Sequence, residues 1–253
     1  MKERFSKSAL VVTALLLSSS KQIAYDNQLI MSAKPDICYM LNSARKDKKE
    51  MLMFFACNQR ICRFVKSKAR GQMYTIKINQ DEMMRAFKHL KSILKSKQLN
   101  YGFAHTHPNY TIKKAILANF NCQKNLIDKV CAKLKRRLDA IKYLSVPPSV
   151  IDLNTQLYLI SSYGAPLSSI VVDSYYAWFV YFKPNPYFAA SPDEYTLMQN
   201  LYKQYEERIG KLLVSALKNS KNLAPNATPI LNDAISRLSL HIEQIQVDDL
   251  CKK

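Results

Sequence analysis

The stretch Asn100-Tyr101-Gly102-Phe103-Ala104-His105-Thr106-His107-Pro108 (NYGFAHTHP) decides how this chain is read. Tyr101 to Ala104 has the length and apolar character of a short strand, and it runs straight into two of the chain's four histidines. Along a strand, residues i and i+2 point to the same face. His105 and His107 therefore present two imidazoles side by side, a pair able to chelate one metal ion. By itself an H-x-H pair is weak, because it arises by chance on surfaces and in cores. Its meaning depends on what stands on either side.

On the upstream side, Met83, Phe87, Leu90 and Leu94 repeat at helical spacing and predict a helix, opened by Asn79 or Asp81, that packs on a sheet by one face. Met51 to Cys57 (MLMFFAC) is a continuous apolar run of strand length, as expected of a buried strand. Ile61 to Val65 and Met73 to Ile78 are further strand candidates. Leu29 to Met31 reads as a short opening strand. Ser32 then reads as the cap of a helix running to about Ala44, with Ile37, Met40 and Leu41 on its inner face. Glu50 stands at the mouth of the buried strand, after the run Arg45-Lys46-Asp47-Lys48-Lys49. A carboxylate there can take a proton from water at a metal. From its own context alone, Glu50 is an ordinary charge at a helix end.

On the downstream side, residues 109–146 read as a basic insertion. The spacing of Leu126, Val130, Leu134, Leu138 and Ile141 predicts a helix from about Ala118 to Tyr143. Nine Lys and Arg stand against Asp128 and Asp139 in the insertion, a net +7. Pro147 and Pro148 end it and start the next helix, where first-turn proline is tolerated. In Pro148-Ser149-Val150-Ile151-Asp152, Ser149 and Asp152 are three apart and share a helix face. Asp152 adds an oxygen ligand to the two imidazoles. Three protein ligands leave a fourth tetrahedral position for water, the layout of a catalytic zinc rather than a structural one. The nearer segment Asn109 to Phe120 holds no Asp, Glu or Ser to compete for that place. Ser169 to Val172 and Tyr175 to Phe182 are strands. Pro192 to Lys218, and a last helix from about Leu231 to Gln246, form a helical tail. This order of elements predicts an α/β domain with helices packed on a mixed sheet.

The run from Leu29 to about Lys183 resembles the JAMM (MPN+) metalloprotease domain. The residues that carry the likeness are Glu50 before MLMFFAC, the helix QDEMMRAFKHLKSIL, the strand leading to HTHP, and PPSVIDL. The resemblance implies a cytidine-deaminase-like MPN fold and a zinc peptidase or isopeptidase that hydrolyses an amide bond. It implies one Zn2+ on His105, His107 and Asp152, Glu50 as general base, and Ser149 as hydrogen-bond donor to the oxyanion. It also implies a peptide or protein substrate, ubiquitin-like proteins among them. One feature departs from the family, where the serine follows the histidines within about ten residues. Here the insertion lies between His107 and Pro148 and enters beside the site, as a lid, a docking arm or a plug.

Bulk composition narrows the other classes. The chain has 253 residues, 48% of them hydrophobic, so a full core is expected. Only four glycines and no Gly-rich phosphate motif argue against a nucleotide loop. The net charge of +19 favours acidic partners, with the insertion as the candidate contact surface. Two other readings therefore stand beside the hydrolase: an inactive MPN-type scaffold, and a basic nucleic-acid-associated protein. Lys2, Arg4 and Lys7 precede the apolar run Ala9 to Leu17 and three serines, as in a signal peptide over residues 1–24. That run is too short to span a bilayer, so no transmembrane helix is expected in the mature chain. A periplasmic or secreted address follows, with the cytoplasm as the alternative. The domain then covers 26–188 and the tail 189–253. Of the six cysteines, Cys57 with Cys62 and Cys122 with Cys131 are close enough in sequence to pair. His89, His241 and the aromatic run Tyr175 to Phe182 read as structural.

Overall fold

In the computed structural model, the residues described are 27–70, 78–122, 129–142, 144–163, 167–182, 194–219, 227–238, 240–247 and 251. The expected signal peptide and most of the expected strand Met73 to Ile78 lie outside them. The architecture is α/β: a six-stranded mixed sheet in the order β2-β1-β3-β4-β5-β6. The strands are β1 (Met51–Cys57), β2 (Cys62–Arg70), β3 (Asn100–Thr106), β4 (Leu167–Val172), β5 (Tyr176–Phe182) and β6 (Leu240–Gln246). Only the β3–β4 pair is parallel, and all other neighbours run antiparallel.

Alternation along the strands splits the core into two layers. Met53 and Phe55 of β1, Ala104 of β3 and Ile170 of β4 face α1 (Asn27–Lys46), packing on Ile37, Met40 and Leu41. Leu52 and Phe54 of β1 with Phe103 of β3 face the other way. They meet Met83, Phe87, Leu90 and Leu94 of α2 (Gln80–Leu94), whose N-cap is Asn79. The same face of β4 and β5, with a fully buried Trp178, is covered by α5 (Val150–Tyr163), α6 (Glu194–Lys218) and α7 (Ala227–Ile235). Each fully buried side chain of this size contributes roughly 1.5–3 kcal/mol, so the sandwiched sheet is the rigid base from which the site projects.

Four expectations are corrected. Leu29 to Met31 is helical, not a strand, and α1 begins before Ser32. Ser32 is no cap: its hydroxyl donates to Leu29 O at 2.7 Å and accepts from Cys62 N at 2.8 Å, tying α1 to β2. The insertion is not one helix over 118–143. It holds α3 (Asn109–Asn119) and α4 (Lys129–Ala140), with a turn at Phe120 to Cys122 between them. Asn121 takes a left-handed φ of 55° there, which asparagine tolerates. Cys122 then bonds to Cys131, and Ile112 and Ile116 of α3 pack on Leu138 and Ile141. The tail is not wholly helical: α7 ends at Ile235, and Leu240–Gln246 is β6, paired along the whole of β5. Two further disulfides join Cys57 to Cys62 at the β1–β2 hairpin and Cys38 of α1 to Cys251 of the tail.

Candidate metal centre

The site begins with strand register. Leu52 of β1 lies opposite His105 of β3, and the same register continued by two residues would set Glu50 opposite His107. Two bonds fix the chain at this end of the sheet. Met51 N donates to Thr106 Oγ1 at 2.9 Å, and His107 N donates to Val172 O at 2.9 Å. His107 is thereby kept in extended alternation with His105, and both imidazoles lie on the α2/α5 face. Pro108 turns the chain out of the sheet, and α3 starts at the next residue.

Asp152 arrives from α5. Ser149 stands immediately before that helix, and the two side chains form a reciprocal cap. Asp152 Oδ2 accepts from Ser149 N at 2.5 Å and from Ser149 Oγ at 2.7 Å, while Asp152 N donates to Ser149 Oγ at 3.3 Å. The S-x-x-D spacing thus has a local structural use. The same carboxylate also reaches both histidines: Oδ1 is 3.0 Å from His105 Nε2, and Oδ2 is 3.5 Å from His107 Nε2. The two Nε2 atoms are 3.2 Å apart.

These spacings test whether a metal fits. One ligand atom from each of His105, His107 and Asp152 lies within 4.8 Å of the others, close enough for a single ion with bonds of about 2.0–2.2 Å to be reached by all three. The group is also the one cluster of three His, Cys, Asp or Glu able to hold a metal ion among the described residues. Two imidazoles and one carboxylate can therefore hold a divalent cation. His105 is 6% exposed and Glu50 8% exposed. Glu50, His105, His107, Ser149 and Asp152 line one cavity of about 80 Å³, with Leu52, Ile78, Phe103, Ile151 and Thr155 as the remaining wall. All five residues picked from the sequence are together.

The charges reinforce one another. Burial alone would raise Asp152, but the two imidazoles beside it hold its carboxyl well below the usual range. Burial alone would lower His107, but the Asp152 carboxylate, through charge and hydrogen bond, carries it to about 9, with Glu50 and Asp173 adding to the pull. Burial pushes Glu50 up, and the two imidazoles oppose that. The two carboxylates in this cavity are thus shifted in opposite directions, Asp152 down and Glu50 up.

The insertion does not displace PPSVIDL because its two stems are pinned together. Asn109 Nδ2 donates to Lys142 O at 3.1 Å, and Leu144 N donates to Asn109 Oδ1 at 3.0 Å. The chain then passes Asp173, a fully buried carboxylate just after β4. Asp173 accepts from Ser145 Oγ (2.6 Å), Val146 N (3.1 Å), Tyr175 N (2.7 Å), Tyr176 N (2.7 Å) and Trp178 Nε1 (2.9 Å). Tyr205 of α6 donates to Pro148 O at 2.9 Å, one residue before Ser149. Within α5, Gln156 donates to Leu167 O and Val180 O, at 2.7 and 3.1 Å, and accepts from Ser169 Oγ at 2.8 Å. Sequence reading missed these anchors. Only Asp173 left a signal, an acidic residue in the short break between two buried strands, where Asx turns form.

No protein-family profile, curated protein or solved structure matches this chain.

Proposed function

We propose that this chain is a zinc-dependent hydrolase of amide bonds with a JAMM-type site on an MPN-like fold. What carries the reading is the convergence of His105, His107 and Asp152, with one ligand atom of each within 4.8 Å of the others, and Glu50 in the same cavity. His105, His107 and Asp152 would hold the ion. When bound, zinc supplies Lewis-acid polarisation of a carbonyl and acidifies water. Glu50 is the proton carrier: it lines the same cavity as His105, His107 and Asp152, and burial raises its carboxyl against the pull of the two imidazoles. It accepts the proton of the attacking water and delivers it to the leaving amine. Ser149 Oγ now donates to Asp152. For it to stabilise the oxyanion, that hydroxyl must rotate toward the cavity, where a well-placed donor is worth about 3–4 kcal/mol.

The test is metal content together with turnover. Purified wild type and Glu50→Gln should each hold close to one equivalent of zinc, and His107→Ala and Asp152→Ala should lose it while remaining folded. Digestion of a proteome-derived peptide mixture, read by mass spectrometry, should give cleavage products with wild type and none with Glu50→Gln. A folded wild-type chain without zinc would overturn the proposal and favour a scaffold. Undiminished cleavage by Glu50→Gln would overturn the role of Glu50.

A further inference from the structure

Two grooves of opposite chemistry meet at the site. The first, of about 670 Å³, runs between α3 of the insertion and α6 of the tail, with Glu50, His107 and Ser149 at its inner end. Its walls are Ile112 and Ile116 on one side and Ile209 and Leu213 on the other. Ile151, 63% exposed, stands at the threshold and lines both this groove and the metal cavity. The charged groups along it are all carboxylates or the site imidazole, with Glu206 on the α6 wall. The second groove, of about 650 Å³, leaves the site past the end of α1 and the β1–β2 edge. It carries Lys46, Lys48, Lys49 and Lys66 against Asp47 and Glu50. All four lysines are exposed. Lys48 lies 5.5 Å from the Tyr110 ring centroid, and Lys66 donates to Tyr39 Oη at 2.9 Å, so two of them are positioned by aromatic neighbours. Glu50 lines both grooves.

We infer that the occupant of these grooves is the substrate itself. It is an extended polypeptide with aliphatic side chains on one side of the cleaved bond and aspartate or glutamate on the other. The inference rests on the hydrolase reading above and adds the substrate's chemistry to it. The α3–α6 groove excludes a charged segment: Glu206 repels carboxylates, and a lysine there would lose its hydration against isoleucine and leucine. The lysine groove attracts carboxylates and repels cations, which gives selectivity more than raw affinity. Because Glu50 stands where the grooves join, the bond between the two halves is the one brought to the proton carrier. The insertion and the tail are then the parts that choose the substrate, and the insertion is a groove wall rather than a plug.

The experiment uses full-length Glu50→Gln protein, with its zinc measured on the same preparation. Fluorescent ten-residue peptides with a Leu/Ile half and an Asp/Glu half, in both orders, are compared by anisotropy with versions whose second half is Lys-rich or Ser/Gln-rich. The aliphatic–acidic peptide in one order should bind at least about ten-fold tighter than its lysine counterpart, and the gap should shrink as salt is raised. Lys46→Glu/Lys49→Glu should reverse the preference between acidic and basic halves. Leu213→Asp should weaken every aliphatic peptide alike. Zinc present with no preference between acidic and basic halves would overturn the groove assignment while leaving the hydrolase reading in place. Absence of zinc from the folded protein would overturn both.

Discussion

A carboxylate taken out of water costs several kcal/mol unless its lone pairs are met. Asp173 meets that cost with five donors, drawn from the β4–β5 turn, the Trp178 indole and the last residues of the insertion. Burial pushes its carboxyl up, while Ser145, Tyr176, Trp178 and Tyr175 pull it back. The residue therefore does at the level of hydrogen bonds what the insertion threatens to undo at the level of chain length: it returns residues 145 and 146 to the sheet, so that Ser149 and Asp152 start α5 beside the histidines. Asp173→Asn keeps the shape but turns an amide NH2 toward donors. We expect it to lose about 2–4 kcal/mol in denaturant unfolding, with weaker zinc retention than wild type. Unchanged stability and unchanged zinc content would show that the strap is held by packing alone.

At the scale of elements, β3 is closely hemmed in by both of its neighbours. Gly102 pairs with Phe55 of β1 and Ser168 of β4, and an added Cβ would lie 2.3 Å from Phe55 Cζ and 2.3 Å from Ser168 O. The ring can shift, but the carbonyl belongs to the backbone of a central strand. Gly102→Ala should therefore cost at least as much as ordinary overpacking, about 1–3 kcal/mol, and lower the Tm by several degrees in a thermal melt. A melt superimposable on wild type would mean that β4 gives way easily. The elements legible in the sequence were those where a single period fits. MLMFFAC is apolar at every position, and Met83, Phe87, Leu90 and Leu94 fit a helix only. Residues 231–246 fit both periods: Leu231, Ile235, Leu238, Ile242 and Ile245 fall three or four apart, while Leu240 and Ile242 alternate as in a strand. The partner decides between them, since β5 without β6 would leave an apolar edge open, and no local pattern reports that. The site was legible because its residue types are uncommon and stand beside strong element signals. Its supports, Tyr205 and Gln156, were not, because each is an ordinary side chain until the fold brings its acceptor within reach.

At the scale of the whole molecule, three disulfides account for all six cysteines, and they close loops of very different length. Cys38 and Cys251 are 213 residues apart, against 9 for Cys122–Cys131 and 5 for Cys57–Cys62. If a cross-link acts mainly by reducing the freedom of the unfolded chain, its worth grows with the logarithm of the loop, from about 2 kcal/mol for the shortest to about 5 kcal/mol for the longest. The longest one also joins α1 on one face of the sheet to the segment just past β6, so it guards the edge that the tail closes. Replacing Cys38 and Cys251 together by serine should therefore destabilise most, Cys122 with Cys131 next, and Cys57 with Cys62 least, in denaturant unfolding of the three double variants. The reverse ranking would mean that native contacts, not chain entropy, set their value. Structural disulfides form and persist mostly in oxidising compartments and are rare in the reducing cytosol. Thiol counting on chain taken from its native source should therefore find no reactive cysteine after unfolding. Six free thiols there would mean that these bonds do not form in the cell and would remove their contribution to stability there.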